Sequence, residues 1–396
     1  MNVCINKSIL GSKKHLLVSG ESFSWVDAPP PINTCTYGFK DQSNRIEPLL
    51  DLYSISVSSI STEAESRSFR SCGYFSVPPW PKVLGKREFM LRVEKVCSDI
   101  SDALKKISEN PYSEIFFKGN HVLGKLVDAR VDVSELVRLS RESENATLRH
   151  YANSITGSIS VAPTYNRIKT KTGRLTISSG PPVLTLPKQT RNAYRSQFTN
   201  GAICELDFTS LEPRCASNIA GNPFLKSDLY EQIMGMLDID IERDSIKELV
   251  ICLLYGAGEY RARSILKKSV SDRNVQEILK SVKSFFAFDK LRKDLLEEAK
   301  SGIVHNYFGR PINVDSIQAG VLINNYIQST AVDLSLIAFS DLVSGLNPMV
   351  ARPLFIIHDA LMLDVNLDRY DDINSQIGDY YSHEALGIFP WKIRRL

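Results

Sequence analysis

The spacing of apolar and polar residues changes character along the 396-residue chain and predicts a series of different elements. Residues 1–85 are rich in Ser and Pro, with a short alternating stretch at 50–57 and breakers at 77–81, which predicts a small irregular or β-rich segment. Apolar residues then recur at helical spacing from 86 to about 110 and from 131 to about 155. Two helices, projecting from the rest, are expected there.

The second half of the chain alternates between strand-like and helical stretches. Residues 202–208 have the composition of a buried strand, and 354–365 form a second strand-like run interrupted by His358-Asp359. Residues 224–301 are helical in pattern almost throughout, and 314–344 are helical again after a turn at Gly309-Arg310-Pro311. Helices and strands in this order predict an α+β protein of two or three subdomains.

Composition narrows the class of protein further. Apolar residues make up 43% and charged residues 23% of the chain, which is ordinary for a globular enzyme. No apolar run approaches the roughly 18 residues that a membrane span needs, and the first residues do not resemble a signal peptide. The seven cysteines show no C-x-x-C spacing, so reduced thiols in a cytoplasmic protein are expected.

The net charge of +3 is unevenly distributed. No Asp or Glu occurs between Glu144 and Glu205, whereas eight Lys and Arg residues do: Arg149, Arg167, Lys169, Lys171, Arg174, Lys188, Arg191 and Arg195. Such a stretch is compatible with a solvated basic loop or with a surface that binds a polyanion.

Two predicted strands end in a carboxylate. Asp207 closes the apolar run that begins at Ala202, and Asp359 follows the run that begins at Leu354. An ionised Asp at such a place must be solvated, paired or bound to a cation, and a single one is more often a cap or an ion-pair partner. If the two strands are neighbours, both carboxylates reach the same hard cation, and Mg²⁺ prefers one or two carboxylates completed by phosphate and water.

A helix after Glu242 carries a stripe of four residues at intervals of four: Arg243, Lys247, Ile251 and Tyr255. Because four steps of about 100° return almost to the start, the stripe has a basic end and an aromatic end on one helix face. It is suited to hold a triphosphate and a base pair, although an amphipathic core helix with a basic edge has the same pattern.

These segments together resemble family A DNA polymerases. Residues 207–214 resemble motif A with Thr209 at its usual Ser position, Arg243-x3-Lys247-x7-Tyr255-Gly256 resembles motif B, and 357–359 resemble motif C. Two flanking signatures agree in order: Thr172-Gly173-Arg174 before motif A, and Asn324-x3-Gln328 with Ala331-x-Asp333 between motifs B and C. The resemblance covers about residues 172–362 and does not reach the first 80.

The resemblance implies roles for particular residues. Asp207, Asp359 and the main-chain carbonyl of Phe208 are expected to bind two Mg²⁺ ions, with Mn²⁺ as an alternative, and Lys247 to protonate the leaving group. The residues expected to bind the dNTP are Arg243, Lys247, Ile251, Tyr255, Glu212 and Phe208, with Glu212 excluding a ribose hydroxyl. The residues expected to bind primer-template DNA are Arg174, Asn324, Gln328, Lys169 and Lys171, the first three in the minor groove.

The sequence departs from the family pattern at two positions. Ala360 follows Asp359 where the family has a second acid, and Ile251 stands where it typically has Phe or Tyr. We hypothesise that Glu205, two residues before Asp207 and therefore on the same strand face, compensates for the missing acid.

The implied architecture is α+β and hand-shaped, with an antiparallel palm sheet, helical fingers and a helical thumb. The expected domains are an amino-terminal segment of unknown role, a thumb-like part, palm, fingers and palm again, at 1–85, 86–160, 161–221, 222–308 and 309–396. The expected protein is a monomer without proofreading or 5′ nuclease activity, and its processivity or replication factor is unknown. A single-subunit RNA polymerase or primase-like enzyme, or a degenerate DNA-binding subunit, are the alternatives.

Overall fold

The computed structural model describes residues 2–30, 34–39, 44–222, 228–237, 241–256, 259–266 and 272–396. These residues divide into two compact units, 1–124 and 125–396. Within the described residues, no helix combines the length and apolar character needed to cross a membrane. All seven cysteines are free thiols.

The first unit is built on a four-stranded sheet in the order β3-β2-β1-β4. Strand β1 is antiparallel to β2 and parallel to β4. The strands are β1 (Asn2–Ile5), β2 (His15–Ser19), β3 (Ser22–Val26) and β4 (Thr34–Tyr37). The helices are α1 (Lys7–Leu10), α2 (Glu47–Leu52), α3 (Glu63–Ser71), α4 (Trp80–Val83), α5 (Lys86–Ser108) and α6 (Tyr112–Leu123).

The prediction of a small irregular or β-rich amino-terminal segment is confirmed in part: residues 1–85 contain the strands β1 to β4, but also the helices α1 to α4. The alternating stretch 50–57 forms no strand, and its first residues belong to α2. Pro48 near the start of α2 explains the difference, because proline favours the first turn of a helix. The helix predicted from 86 to about 110 is α5, whose apolar stripe from Phe89 to Ile107 is buried.

The second unit contains a five-stranded antiparallel sheet in the order β13-β14-β10-β16-β15. Its strands are β10 (Gly201–Phe208), β13 (Ala351–Ile357), β14 (Ala360–Asn366), β15 (Tyr380–His383) and β16 (Gly387–Arg395). The smaller sheets use β5 (Ala129–Val131), β6 (Ile159–Ser160), β7 (Thr164–Asn166), β8 (Thr176–Ser179), β9 (Tyr194–Arg195), β11 (Ile303–His305) and β12 (Pro311–Asn313).

The second unit also contains ten described helices. They are α7 (Val133–Glu142), α8 (Ala146–Ser154), α9 (Leu211–Ile219), α10 (Leu229–Leu237), α11 (Arg243–Leu254), α12 (Glu259–Leu266), α13 (Asp272–Phe285), α14 (Phe288–Glu298), α15 (Ala319–Ser344) and α16 (Tyr370–Ile377). Of these helices, α7, α8, α9, α15 and α16 pack against strands of this sheet. Short 3₁₀ turns occur at Lys188–Ala193, Ala299–Ser301 and Leu367–Arg369.

Both strand predictions and most helix predictions in this half are confirmed. The helix expected over 131–155 is two helices, α7 and α8, because Asn145 caps a new helix by accepting a hydrogen bond from the Leu148 amide. The helix expected from 314 begins only at Ala319. Part of the helical range 224–301 lies outside the described residues.

Strand β10 is central in the sheet, and each of its faces packs against helices. On one face, the ring of Phe208 contacts Phe339 of α15 and Trp391 of β16. On the other face, Ile203 belongs to an apolar cluster with residues of α7 and α8. Helix α15 is buried along most of its length, as expected for a helix with apolar residues on all sides.

The range 86–160, predicted as thumb-like, contributes α5 and α6 to the first unit and α7 and α8 to the second. The domain boundaries remain a prediction.

Candidate active site

Asp207 lies near the end of the central strand β10. In the sheet register it is opposite Ala360 of β14 on one side and Lys392 of β16 on the other. The strand ends one residue later, and Ser210, with a positive φ of 57°, turns the chain into α9. The side chain of Asp207 is 38% exposed, so the strand presents a carboxylate at the edge of the core.

Asp359 occupies the turn between β13 and β14. Ile357 pairs with Ala360, so His358 and Asp359 form a two-residue connection. His358 has a φ of 55°, a left-handed conformation that costs energy for residues other than glycine. Because Ala360 pairs directly with Asp207, this turn brings Asp359 beside Asp207. The two predicted strands are not direct neighbours, because β14 lies between β13 and β10; the tight turn from β13 into β14 is what brings the two carboxylates near each other.

Tyr165 of β7 holds the strand that leads into this turn. Its hydroxyl donates to the carbonyl of Ile356 at 2.5 Å and accepts from the amide of Ile356 at 2.9 Å. Both main-chain groups of Ile356 are thus satisfied at an outer strand of the sheet. No sequence pattern pointed to Tyr165, because the contact joins residues 191 positions apart.

The two carboxylates lie in an environment that disfavours their charges. The pKa of Asp207 is raised to about 6, mainly by burial and then by the charges of Asp359 and Glu205, while Arg394 and Arg191 act in the opposite direction. Burial also raises the pKa of Asp359. Neighbouring acids with raised pKa values are typical of a site that is completed by a cation.

A cavity of about 930 Å³ opens beside the turn that carries Asp359, and Asp207 is not among the residues that line it. Its walls come from β8, the start of α9, the end of α11, the middle of α15 and the turn with His358 and Asp359. The predicted site residues that line it are Arg174, Glu212, Lys247, Ile251, Tyr255 and Asp359. The fold therefore brings together candidates that are up to 185 positions apart, from 174 to 359.

Arg174 connects several of the predicted residues. Its Nη2 donates to Glu212 at 2.9 Å and to the Tyr255 hydroxyl at 3.3 Å. Gln328 is a further partner of Arg174. In the amide orientation that satisfies both neighbours, the Gln328 nitrogen donates to the Thr172 hydroxyl at 2.7 Å, and the Gln328 oxygen accepts from Arg174 Nη2 at 3.0 Å and Nε at 3.2 Å. Arg174, Glu212, Gln328 and Tyr255 thus form one hydrogen-bonded group.

Buried charged residues hold the loop before Arg174 in place. Gly173 has a φ of 76°, and a Cβ added to it would lie 2.8 Å from the Arg310 guanidinium carbon. Arg310 donates to the carbonyl of Arg167, and Arg167 forms a buried ion pair of 2.8 Å with Asp333. These contacts explain why glycine is required at 173 and where the predicted Asp333 acts.

Helix α11 carries the predicted stripe, but Arg243 at its basic end does not face the cavity. Lys247, Ile251 and Tyr255 line the cavity, whereas Arg243 does not. Arg243 donates to Asp228 from Nη2 at 2.6 Å and from Nε at 3.2 Å. The sequence carried no signal for Asp228 as this partner.

The remaining predicted residues lie at varied places. Lys169 and Lys171 are exposed on the loop before Arg174, and Lys171 pairs with Asp315. Asn324 is half-buried in α15 and does not line the cavity. The Phe208 side chain is buried against α15 and β16, so only its main chain is available to a ligand.

Glu205, the residue expected to replace the missing acid, is paired on both oxygens. Arg191 donates to Oε1 and Arg394 donates to Oε2. Among the described residues, no group of three or more His, Cys, Asp or Glu side chains is arranged to hold a metal ion. Sequence reasoning anticipated neither arginine as a partner of Glu205.

Comparison with solved structures identifies the fold. The structure matches the "POL domain of Pol1 from M. smegmatis complex with DNA primer-template and dNTP" with a TM-score of 0.63 at 13% identity, over 100% of this chain and 94% of that one. The fold is the right-hand polymerase fold, as predicted.

The sequence model of DNA polymerase family A matches residues 102–387, and the chain belongs to this family. It is 27% identical over 242 residues to thermostable DNA polymerase I of Thermus thermophilus, which is 53% of this chain and 28% of that protein. It is 23% identical over 220 residues to DNA polymerase theta of Caenorhabditis elegans, 49% of this chain and 13% of that protein. The matched regions thus span less than a third of the length of these curated relatives.

Proposed function

We propose that the protein is a template-directed DNA polymerase that adds dNTPs to the 3′-hydroxyl of a primer. The observation that carries the proposal is a cavity lined by Asp359, with Asp207 brought near Asp359 by the pairing of β10 with β14. That cavity also receives Lys247 and Tyr255 from the helix predicted to grip a nucleotide. Membership of family A and the DNA and dNTP complex of the M. smegmatis neighbour support the same activity.

The donor set fits a pair of divalent cations. Asp207 and Asp359 offer hard oxygen ligands; burial raises the pKa of both, and the charge of Asp359 raises that of Asp207 further, which a cation would relieve. Two carboxylates without a third acid suit Mg²⁺ or Mn²⁺, which take further ligands from triphosphate and water. When bound, such ions activate the primer hydroxyl and stabilise the leaving pyrophosphate.

The side chains around the cavity position the substrates. Lys247 would bind the triphosphate and protonate the leaving group, and Arg243 would bind the triphosphate after leaving Asp228. Tyr255 and Ile251 would lie against the incoming base and sugar. Glu212, held by Arg174, would occupy the space that a ribose 2′-hydroxyl needs.

The primer-template would contact the group centred on Arg174. Arg174, Gln328 and Asn324 would meet minor-groove acceptors, which every correct base pair presents alike, and Lys169 and Lys171 would contact phosphates. The Phe208 carbonyl would be a metal ligand. We assign palm to 161–221 and 309–396, fingers to 222–308 and a thumb-like role to 86–160.

We propose further that residues 1–124 have no nuclease activity. A metal-dependent nuclease needs a cluster of carboxylates, and none of the strands β1 to β4 carries an Asp or Glu. The absence of acidic residues from these four strands supports the proposal that residues 1–124 do not proofread for the polymerase.

The test is extension of a labelled primer-template with Mg²⁺ and either dNTPs or rNTPs. Wild type should extend with dNTPs, and Asp359→Asn should lose at least about 10³-fold in rate because the cation loses a ligand. Asp371→Asn, the same change on the exposed first turn of α16, is the matched control and should retain full activity.

Three outcomes would contradict the proposal. Preferred extension with rNTPs would favour the RNA polymerase or primase-like alternative. Binding of primed DNA without any incorporation would favour a degenerate DNA-binding subunit, for which the absent acid at Ala360 is the argument. Equal activity of Asp359→Asn and wild type would place the active site elsewhere.

A further inference from the structure

A buried ion-pair cluster lies directly behind the predicted metal site. The side chain of Glu205 is 3% exposed, yet it carries a carboxylate in the centre of the sheet. Arg191, from the 3₁₀ turn Lys188–Ala193, binds one oxygen, and Arg394, from β16, binds the other at 2.5 Å. A buried carboxylate needs such partners, but one arginine is enough to balance its charge. The cluster therefore has an excess positive charge.

The second arginine lies within reach of the predicted metal ligand. Glu205 and Asp207 are two positions apart on β10 and share a strand face. Arg394 is directly opposite Glu205 in the register of β10 and β16. Its Nη2 lies 2.5 Å from Glu205 Oε2 and 3.9 Å from Asp207 Oδ2. One guanidinium group is thus shared between two carboxylates, and Glu205 holds it more closely.

The position of this guanidinium matters for cation binding. An arginine bonded to Asp207 would neutralise its charge and occupy an oxygen that a divalent cation needs. The residue opposite Asp207 on the other side is Ala360, which provides no substitute oxygen. Loss of one Asp207 oxygen would therefore weaken the site severely.

We propose that Glu205 is a positioning residue that holds Arg394 off Asp207 and so keeps the Asp207 carboxylate available to a divalent cation. This inference rests on the proposed function, in which Asp207 and Asp359 hold the cation. It differs from the hypothesis that Glu205 is itself a ligand, because both Glu205 oxygens are already bonded to guanidinium groups.

The test measures the affinity of the 396-residue chain for Mn²⁺ without DNA or nucleotide. The electron paramagnetic resonance signal of free Mn²⁺ is the readout, because it falls as Mn²⁺ binds. Asp207→Asn identifies the signal that belongs to the site. Glu205→Gln should weaken binding about tenfold or more, because Arg394 then pairs with Asp207. Arg394→Gln alone should bind Mn²⁺ at least as tightly as wild type. The double variant Glu205→Gln/Arg394→Gln should regain wild-type affinity within about threefold.

A matched control comes from the next residue of β16. Arg395 is opposite Cys204 and so lies on the other face of the sheet from Glu205. Arg395→Gln removes the same charge from the same strand, and Glu205→Gln/Arg395→Gln should stay as weak as Glu205→Gln. Rescue that occurs with Arg394 only is a result that general loss of positive charge cannot produce.

The outcomes separate this inference from the proposal on which it rests. If wild type shows no Mn²⁺ binding that Asp207→Asn removes, both are overturned. If wild type binds Mn²⁺ and Glu205→Gln binds it equally well, only the positioning role is overturned. If the double variant binds as weakly as Glu205→Gln, the positioning role is also overturned, and Glu205 is then a ligand. If Glu205→Gln does not fold, the test uses Arg394→Gln, which keeps the pair between Glu205 and Arg191. Weaker Mn²⁺ binding by Arg394→Gln than by wild type refutes the inference.

Discussion

The ion pair between Asp228 and Arg243 gives the sharpest prediction about nucleotide binding. Asp228 accepts from Arg243 and also precedes α10, where it accepts from the amides of Tyr230 at 2.8 Å and Glu231 at 3.3 Å. Asp228→Asn keeps an oxygen that can cap the helix, since Asn and Asp cap about equally well. It removes the negative charge that competes with a triphosphate for Arg243.

The expected magnitude follows from the exposure of the pair. The side chains of Arg243 and Asp228 are 41% and 25% exposed, so solvent screens their attraction. Pairs of this kind contribute about 0.2–1 kcal/mol, which corresponds to about 1.5- to 5-fold in binding. We expect the KM for dNTP of Asp228→Asn to fall by this factor with kcat nearly unchanged, because the released arginine binds the triphosphate in ground and transition states alike.

The assay is steady-state incorporation of a single nucleotide at several dNTP concentrations. Asp244→Asn is the matched control, because Asp244 also lies by Arg243, at 3.5 Å, but is 89% exposed, and its KM should not change. A higher KM in Asp228→Asn, at unchanged thermal stability, would show that Asp228 orients Arg243 for the nucleotide and would refute the competition argument.

Three further predictions concern sugar choice, packing and pH. Glu212→Ala, which opens the cavity wall beside the sugar, should raise the efficiency of rNTP relative to dNTP incorporation at least about tenfold, measured as the ratio of the two kcat/KM values. Phe208→Ala removes a buried ring that contacts Trp391 and should lower the free energy of unfolding by about 3–5 kcal/mol in urea titrations; a loss below about 1 kcal/mol would contradict the packing. A hydrogen-bonded pair with Arg92 lowers the pKa of Glu65 from 4.5 to about 2, so its stabilisation is present above pH 4.5 and is lost as the pH falls through about 2. Glu65→Gln should therefore lower the Tm at pH 7 and differ little from wild type near pH 2, and an equal difference at both pH values would exclude this origin.

Several features of the fold follow from short-range patterns that the sequence displays directly. The apolar run before Asp207 and the interrupted run around His358-Asp359 are visible as strands, because buried strands need consecutive apolar residues on both faces. The stripe on α11 is visible because helical periodicity depends only on positions four apart. Local patterns were misleading at 50–57, where Pro48 begins a helix instead of a strand.

The partners of charged groups could not be obtained in this way. The bonds of Arg394 to Glu205 and of Arg174 to Gln328 join residues 189 and 154 positions apart, and Coulomb attraction alone does not select one acid among the 45 in the chain. Arg243 is an example, since its sequence position indicates a triphosphate ligand, whereas in the structure it binds Asp228.

By itself, the sequence determined which residues could carry the chemistry: two carboxylates at strand ends, a basic and aromatic helix stripe, and the glycine turn before Arg174. Only the tertiary structure decided that β14 and β16 flank β10, which places Ala360, Lys392 and Arg394 around Asp207 and Glu205. The reason is that strand order and register are set by packing of the whole sheet against α15 and the helices of its other face, an energy shared among residues far apart in the chain.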